Sequence, residues 1–364
     1  MINKLVIENL KHRWVRTVLS AAAVGVQVTM ILTLVGVSYG TLDDVSRRSR
    51  GAGADILIRP PGSSIISMST APMPEKILDF VRGIPHVSVA TGTIVQPIGG
   101  TNSVTGIDAE SFAKMSGGFK FIEGGGFRNP EDVIVDEYWA RQFGLNVGSP
   151  MRFMERDWKV AGIVEPGKLA RIFLPMKLVQ ELSANTGKLT MIYVKLDDPR
   201  SLPEAMAALK KELPTYQIYS IEEFVSQISV NNLPQLKTFI YVVIGVAVVV
   251  GFLVVFLSMY TAVLERTREI GILKSLGATP ALILGILIRE TVVLSLIGSL
   301  FGIVFTYGTR WAIMTFVPGS LNQIIVPVWW PIASLVALVG SLLGALYPGW
   351  IAARQDAIEA LSYE

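Results

Sequence analysis

The stretch Leu264-Glu-Arg-Thr-Arg-Glu-Ile-Gly-Ile-Leu-Lys-Ser-Leu-Gly-Ala-Thr-Pro280 decides how the chain is read. It lies between two long apolar runs and carries much of the charge in that half of the sequence. Its spacing predicts a short amphipathic helix, with Ile270, Leu273 and Leu276 near helical period and Glu269 and Lys274 on other faces. Glu265 and Glu269, four apart, fall on one predicted face, with Arg266 and Arg268 among them. Gly277 is the predicted stop, reinforced by Pro280. Such a helix could seat Ile270, Leu273 and Leu276 in a partner's groove while its charges guide docking. A solvated loop whose ion pairs contribute about a few tenths of a kcal/mol each fits the same pattern.

Outward from this stretch the chain is apolar. Of its 364 residues 51% are hydrophobic and 17% charged, against about 25% charged in soluble proteins. Mean hydropathy is +0.50. These values predict an integral membrane protein, and the length leaves room for a domain outside the bilayer. The net charge of +3 gives no reason to expect nucleic acid. The sequence contains no Cys, which excludes disulfides and thiolate chemistry. With only His12 and His86, neither a His-rich metal site nor a Ser-His triad is expected.

Four spans are predicted, at 17–40, 238–263, 282–316 and 327–353, each long enough to cross a bilayer. Residues 1–16 read as an interfacial amphipathic helix rich in Lys and Arg, and 354–364 as a short tail. In the first span Gln27 and Thr29 are expected to face other helices. The second is expected to run on past the membrane as a stalk. Trp329 and Trp330 suit a membrane interface, and the fourth span is expected to break near Pro348. Gly298 with Gly302, and Gly340 with Gly344, form small-xxx-small faces for close helix packing. Arg289-Glu290 is an ionisable pair at the end of the third span, expected to snorkel or to pair with the 264–280 loop.

Residues 41–237 change texture to short mixed elements with turn residues and read as an α+β domain. Strands are predicted at 54–59, 87–98, 103–107, 132–135, 191–196 and 217–219. Helices are predicted at 74–83, 137–143 and 202–213. A hairpin is expected around Arg156-Asp157, and 119–174 reads as an inserted β-rich lobe. The basic residues of the N-terminus, of the 264–280 loop and of the tail, against an uncharged 317–326 loop, put the first three on the cytoplasmic side. The large domain is then extracytoplasmic.

Glu265-Arg-Thr-Arg-Glu-Ile-Gly-Ile-Leu-Lys-Ser-Leu-Gly-Ala278 closely resembles the cytoplasmic loop of the FtsX-like/MacB-like permease family of ABC transporters (type VII). Two other stretches extend the likeness. The run from Phe121 to Asp136 with Phe143–Ser149 and Val160–Val164 resembles the MacB-like periplasmic core pattern. The tail Tyr347-Pro-Gly-Trp-Ile-Ala-Ala-Arg354 resembles the family's closing motif, with Ala357 where Pro is usual. The resemblance implies a loop that is a coupling helix on a separate ATPase subunit, its contacts made by Glu265, Arg266, Arg268, Glu269, Ile270, Leu273, Leu276 and Gly277. It implies four transmembrane helices with a MacB-type domain, in a bacterial cytoplasmic (inner) membrane, N- and C-termini cytoplasmic. It also implies a permease subunit with no catalytic residues and no cofactor of its own, ATP and Mg being held by the ATPase. No Walker A pattern occurs; Gly187-Lys188 is the nearest approach. The expected partners are the ABC ATPase, a second copy of the permease or a close relative and, for efflux, a periplasmic adaptor and outer-membrane exit duct. The implied work is mechanotransmission for export of a peptide, antibiotic or lipid-like substrate, or lipoprotein release. An FtsX-like role, activating a cell-wall hydrolase, is the alternative.

Overall fold

The computed structural model of the chain describes residues 8, 9, 11, 14–63, 71–99 and 102–354. Most of the predicted interfacial helix at 1–16, and the tail at 354–364 beyond Arg354, lie outside these residues, and residues 14–16 already belong to the first long helix. The chain forms two compact units. One comprises Met1–Ser38, Gln235–Ala312 and Gln323–Glu364, the other Tyr39–Pro234 and Ile313–Asn322.

In order, the elements begin with α1 (Trp14–Gly51), β1 (Ile56–Arg59), β2 (Met73–Pro74), α2 (Lys76–Arg82), β3 (Val87–Gly99), β4 (Asn102–Ile107) and α3 (Ala109–Ser116). Next come β5 (Phe121–Gly124), β6 (Asp132–Asp136), α4 (Glu137–Phe143), β7 (Pro150–Phe153), β8 (Arg156–Val164), β9 (Ile172–Pro175) and α5 (Met176–Leu182). Then follow β10 (Lys188–Leu189), β11 (Met191–Leu196), α6 (Leu202–Glu212), β12 (Gln217–Ser220) and α7 (Ile221–Gln227). The chain closes with α8 (Pro234–Glu265), α9 (Thr267–Ser275), α10 (Pro280–Phe316) and α11 (Trp329–Arg354).

The α+β unit is built on one ten-stranded sheet in the order β12-β1-β11-β3-β4-β9-β6-β8-β5, with β7 on β8. Most pairs are antiparallel; β4–β9 and β6–β8 are parallel. The parallel β4–β9 pair joins the strands of 119–174 to the rest. That segment extends the sheet instead of forming a separate lobe, and one apolar core, from Ile58 and Ile94 to Val133 and Trp158, runs across the join. Local signals set the ends of the elements. Asp136 caps α4 by accepting the Trp139 amide at 2.8 Å, and Gly144 ends it in the left-handed region. The β7–β8 turn falls at Met154-Glu155, both at positive φ, two residues before the predicted Arg156-Asp157. Two consecutive left-handed residues match the strand twist, so pairing selected them over the more polar dipeptide.

In the other unit α1, α8, α10 and α11 are each long and apolar enough to cross a membrane. Val28, Ile31, Ala247, Val255, Leu287, Ala337 and Ala345 belong to their shared core. The helices outrun the predicted spans, because helix formation follows hydrogen bonding and capping as well as hydropathy. α1 continues eleven residues past residue 40, through Arg47, Arg48 and Arg50. Those arginines pair with Asp43, Asp44 and Glu222. α11 begins after Pro327 and passes through Pro348 without breaking. A Cβ on Gly298 would meet Val24 Cβ at 2.7 Å and one on Gly302 would meet Val28 Cβ at 2.6 Å, so both seat α10 on α1. Gly344 seats α11 on α8, since a Cβ there would lie 2.7 Å from the Phe252 carbonyl, whereas a Cβ on Gly340 would meet nothing nearer than 3.7 Å. Thr29 donates to the Gly302 carbonyl at 3.1 Å.

Candidate functional site

The 264–280 segment folds into two pieces. α8 ends at Glu265, Arg266 leaves helical geometry, and α9 starts at Thr267. α8 thus runs two residues past the predicted end of the second span, and Glu265 and Glu269 belong to different helices and share no face. The break lets Arg266 turn inward. Its guanidinium donates to Glu290 of α10 at 3.0 Å, with side-chain exposures of 7% and 2%, and reaches the Asn9 carbonyl at 3.5 Å. Arg16 of α1 bridges the cluster, lying 3.7 Å from Glu290 and 3.2 Å from the half-exposed Glu265. Two cations and two carboxylates from three helices thus neutralise each other where an isolated charge would be costly.

This arrangement decides which face of α9 is free. Ile270 is buried in the core that also holds Val263, Ile283 and Leu287, so it cannot seat in a partner's groove as expected. Arg266 is likewise committed inside the chain. Leu273 is half-buried. Ile272 and Leu276 point outward, 46% and 80% exposed, beside exposed Arg268 and Glu269. The turn after α9 is fixed by its own backbone. Gly277 adopts φ +92°, its amide bonds the Lys274 carbonyl at 2.9 Å, and the Ala278 amide bonds the Leu273 carbonyl at 3.0 Å. Thr279 then caps α10 through the Leu282 amide at 3.3 Å. Of the expected contact residues, Glu265, Arg268, Glu269, Leu276 and Gly277 remain available at the surface. Ile272 was missed because its outward direction depends on Arg266 starting a new helix.

A second charged cluster, in the α+β unit, left no sequence signal. Arg171 donates to Asp44 of α1 at 2.8 Å and to Asp136 of β6 at 2.9 Å, all three nearly buried. Arg48 completes it, bonding Asp44 at 3.1 Å. Burial pushes the Asp136 carboxyl up from its ordinary value, against the opposing pull of Arg171 and the Trp139 amide. Asp136 opens α4, whose Gln142 donates to Ser320 in the loop after α10 at 2.8 Å. The last turns of α1 and the 317–322 loop are therefore both held on the β6–α4 corner.

Four apolar helices, an α+β domain between the first and second, and an exposed helix between the second and third describe a membrane permease with a large domain outside the bilayer. Residues 17–212 match the MacB-like periplasmic core domain, and residues 241–357 match the FtsX-like permease C-terminal model. The chain belongs to this FtsX-like, MacB-like family of ABC transporter permeases, and its α+β domain is the extracytoplasmic domain of the family. It is similar to the ABC transporter permease YknZ of Bacillus subtilis, 32% identical over 227 residues, covering 60% of this chain and 55% of YknZ. It is also similar to the macrolide export ATP-binding/permease protein MacB of Escherichia coli, 23% identical over 395 residues, covering 99% of this chain and 60% of MacB. The chain thus spans little more than half the length of these curated relatives. Among solved structures, the periplasmic region of MacB from Actinobacillus actinomycetemcomitans aligns over 49% of this chain and 94% of its own, with a TM-score of 0.39 and 16% identity.

Proposed function

We propose that this permease works with a separate ABC ATPase, docked on the exposed face of α9, and converts ATP hydrolysis into motion of its extracytoplasmic domain. The observation that carries the reading is the division of α9. One face is locked into the bundle through Ile270 and, next to it, the Arg266–Glu290 pair, and the other presents Leu276 and Ile272 flanked by Arg268 and Glu269. An apolar pair rimmed by both charges suits a helix-in-groove contact. A push on that face would move the bundle with it, because the other face is bolted to α10.

The basic residues beside the first span and in the α9 segment support a cytoplasmic position for this end of the bundle. The lever is α1, an unbroken helix of 38 residues, in place of the second span expected from the sequence. At 1.5 Å per residue it is a rod of roughly 57 Å, and its last turns are clamped by Arg171. Two copies of the permease over two ATPases make the working unit. MacB is named for macrolide export, and export of a peptide, antibiotic or lipid-like molecule, through an adaptor and exit duct where the envelope has them, is the proposed work here. ATP and Mg would be bound by the partner, with no nucleic acid involved.

Native-membrane purification tests the reading. An ATP-binding subunit should co-purify, and its hydrolysis should respond to the permease and lose that response in Leu276→Asp. An adaptor in the same preparation favours export, a cell-wall hydrolase favours signalling, and the absence of any ATPase rejects both.

A further inference from the structure

Five hydroxyls from all four membrane helices converge inside the bundle. Ser20 of α1, Ser258 of α8, Thr291 and Ser295 of α10 and Ser341 of α11 line one cavity, with Met259 and aliphatic side chains completing the wall. Its volume is about 10 Å³, close to what one water needs. Ser20 and Ser258 hydrogen-bond each other at 2.5 Å, and Thr291 donates to the Leu287 carbonyl at 2.9 Å. Ser295 and Ser341 differ. Each is 1% exposed, and neither hydroxyl has a hydrogen-bond partner among the described residues.

Helical hydroxyls in this protein ordinarily satisfy themselves on the carbonyl four residues back, as Ser38, Ser46 and Thr306 do. Ser295 and Ser341 forgo that bond and line the cavity instead. An unpaired hydroxyl in an apolar bundle is costly, and the cost disappears if one small donor-acceptor sits between them. The polar lining fits a neutral guest with two to four hydrogen bonds, and the volume excludes anything larger than water. The cavity also adjoins the ionic cluster in sequence. Thr291 follows Glu290, and Ser20 lies one turn beyond Arg16.

We propose that this cavity is a binding site for a single water molecule, held by Ser295 and Ser341 and shared with the Ser20–Ser258 pair. The water joins all four helices through bonds that can be exchanged without leaving a buried group unpaired. The site stands on this geometry alone, independently of any transport role.

X-ray radiolysis of the purified full-length chain in lipid nanodiscs tests it, because radicals formed from a bound water oxidise the side chains beside it. Met259, 2% exposed, should be oxidised despite its burial. That labelling should be lost in Ser295→Ala/Ser341→Ala, while Met154, partly exposed in the β7–β8 turn outside the bilayer, is labelled equally in both proteins. Leu294→Met places a second reporter on the cavity wall without removing a hydroxyl, and it too should be labelled, whether or not the double variant folds. Inert Met259 and an inert reporter in the folded protein would overturn the proposal. So would Met259 oxidation that persists unchanged without the two hydroxyls.

Discussion

Replacing Glu290 with Gln removes one charge from the centre of the ionic cluster and changes almost no volume. Arg266, 3.0 Å away and 7% exposed, would be left without its carboxylate, and Arg16 would lose one of its two carboxylates in the cluster. Breaking a buried pair in this way costs about 3–5 kcal/mol. Glu265, half exposed on the same cluster, should cost only about 0.2–1 kcal/mol when changed to Gln. A shift of roughly 2 °C per kcal/mol then predicts that Glu290→Gln melts about 6–10 °C below the parent, and Glu265→Gln within about 2 °C. Tryptophan fluorescence of the purified chain in detergent reads both. Removing the pair together, as Arg266→Met/Glu290→Met, should recover most of the loss, since a matched apolar pair replaces a matched ionic one. A Glu290→Gln protein that melts with the parent, or a double variant as weak as the single one, would refute the claim that this pair bolts α9 to the bundle.

Three further outcomes follow from the same geometry. Ile272→Asp and Leu276→Asp should leave the melting temperature unchanged and abolish capture of the ATPase, whereas Ile270→Asp, placing a charge in the core, should unfold the bundle; melting curves and pull-downs separate the cases. Gly302→Ala should cost about 1–3 kcal/mol by forcing α10 off Val28, while Gly340→Ala, in ordinary contact distance, should fall within about 0.5 kcal/mol in the same melting assay. Burial raises the Asp132 carboxyl, but the amides of Arg128 and Asn129 outweigh it and hold the group below its ordinary value. A depressed carboxyl contributes stability above its unfolded value, so the melting difference between the parent and Asp132→Asn should shrink as pH falls below about 4; a constant difference from pH 7 to pH 3 would reject it.

The sequence carried the features set by local chemistry. Strand and helix positions in the α+β domain follow from alternation and from stops such as Gly83 and Gly144, whose signals are local. The span ends were less legible, because α1 keeps its helical bonds beyond the apolar run while its arginines pair along and across it. The orientation of α9 was hidden for a different reason. Helical period alone puts Ile270, Leu273 and Leu276 together, whereas the helix breaks at Arg266, whose guanidinium pairs with Glu290, 24 residues away, and Ile270 turns inward. Arg171 shows the same limit. Its partners, Asp44 and Asp136, lie 127 and 35 residues off, and nothing near Arg171 marks it as a joint.

The account turns on what touches the outer face of α9. A photo-crosslinking amino acid in place of Leu276, activated in native membranes, should yield an adduct with an ATP-binding subunit, while the same group in place of the inward-facing Thr267 should not. An adduct at position 276 with lipid alone, or with a protein of the opposite side of the membrane, would contradict the account.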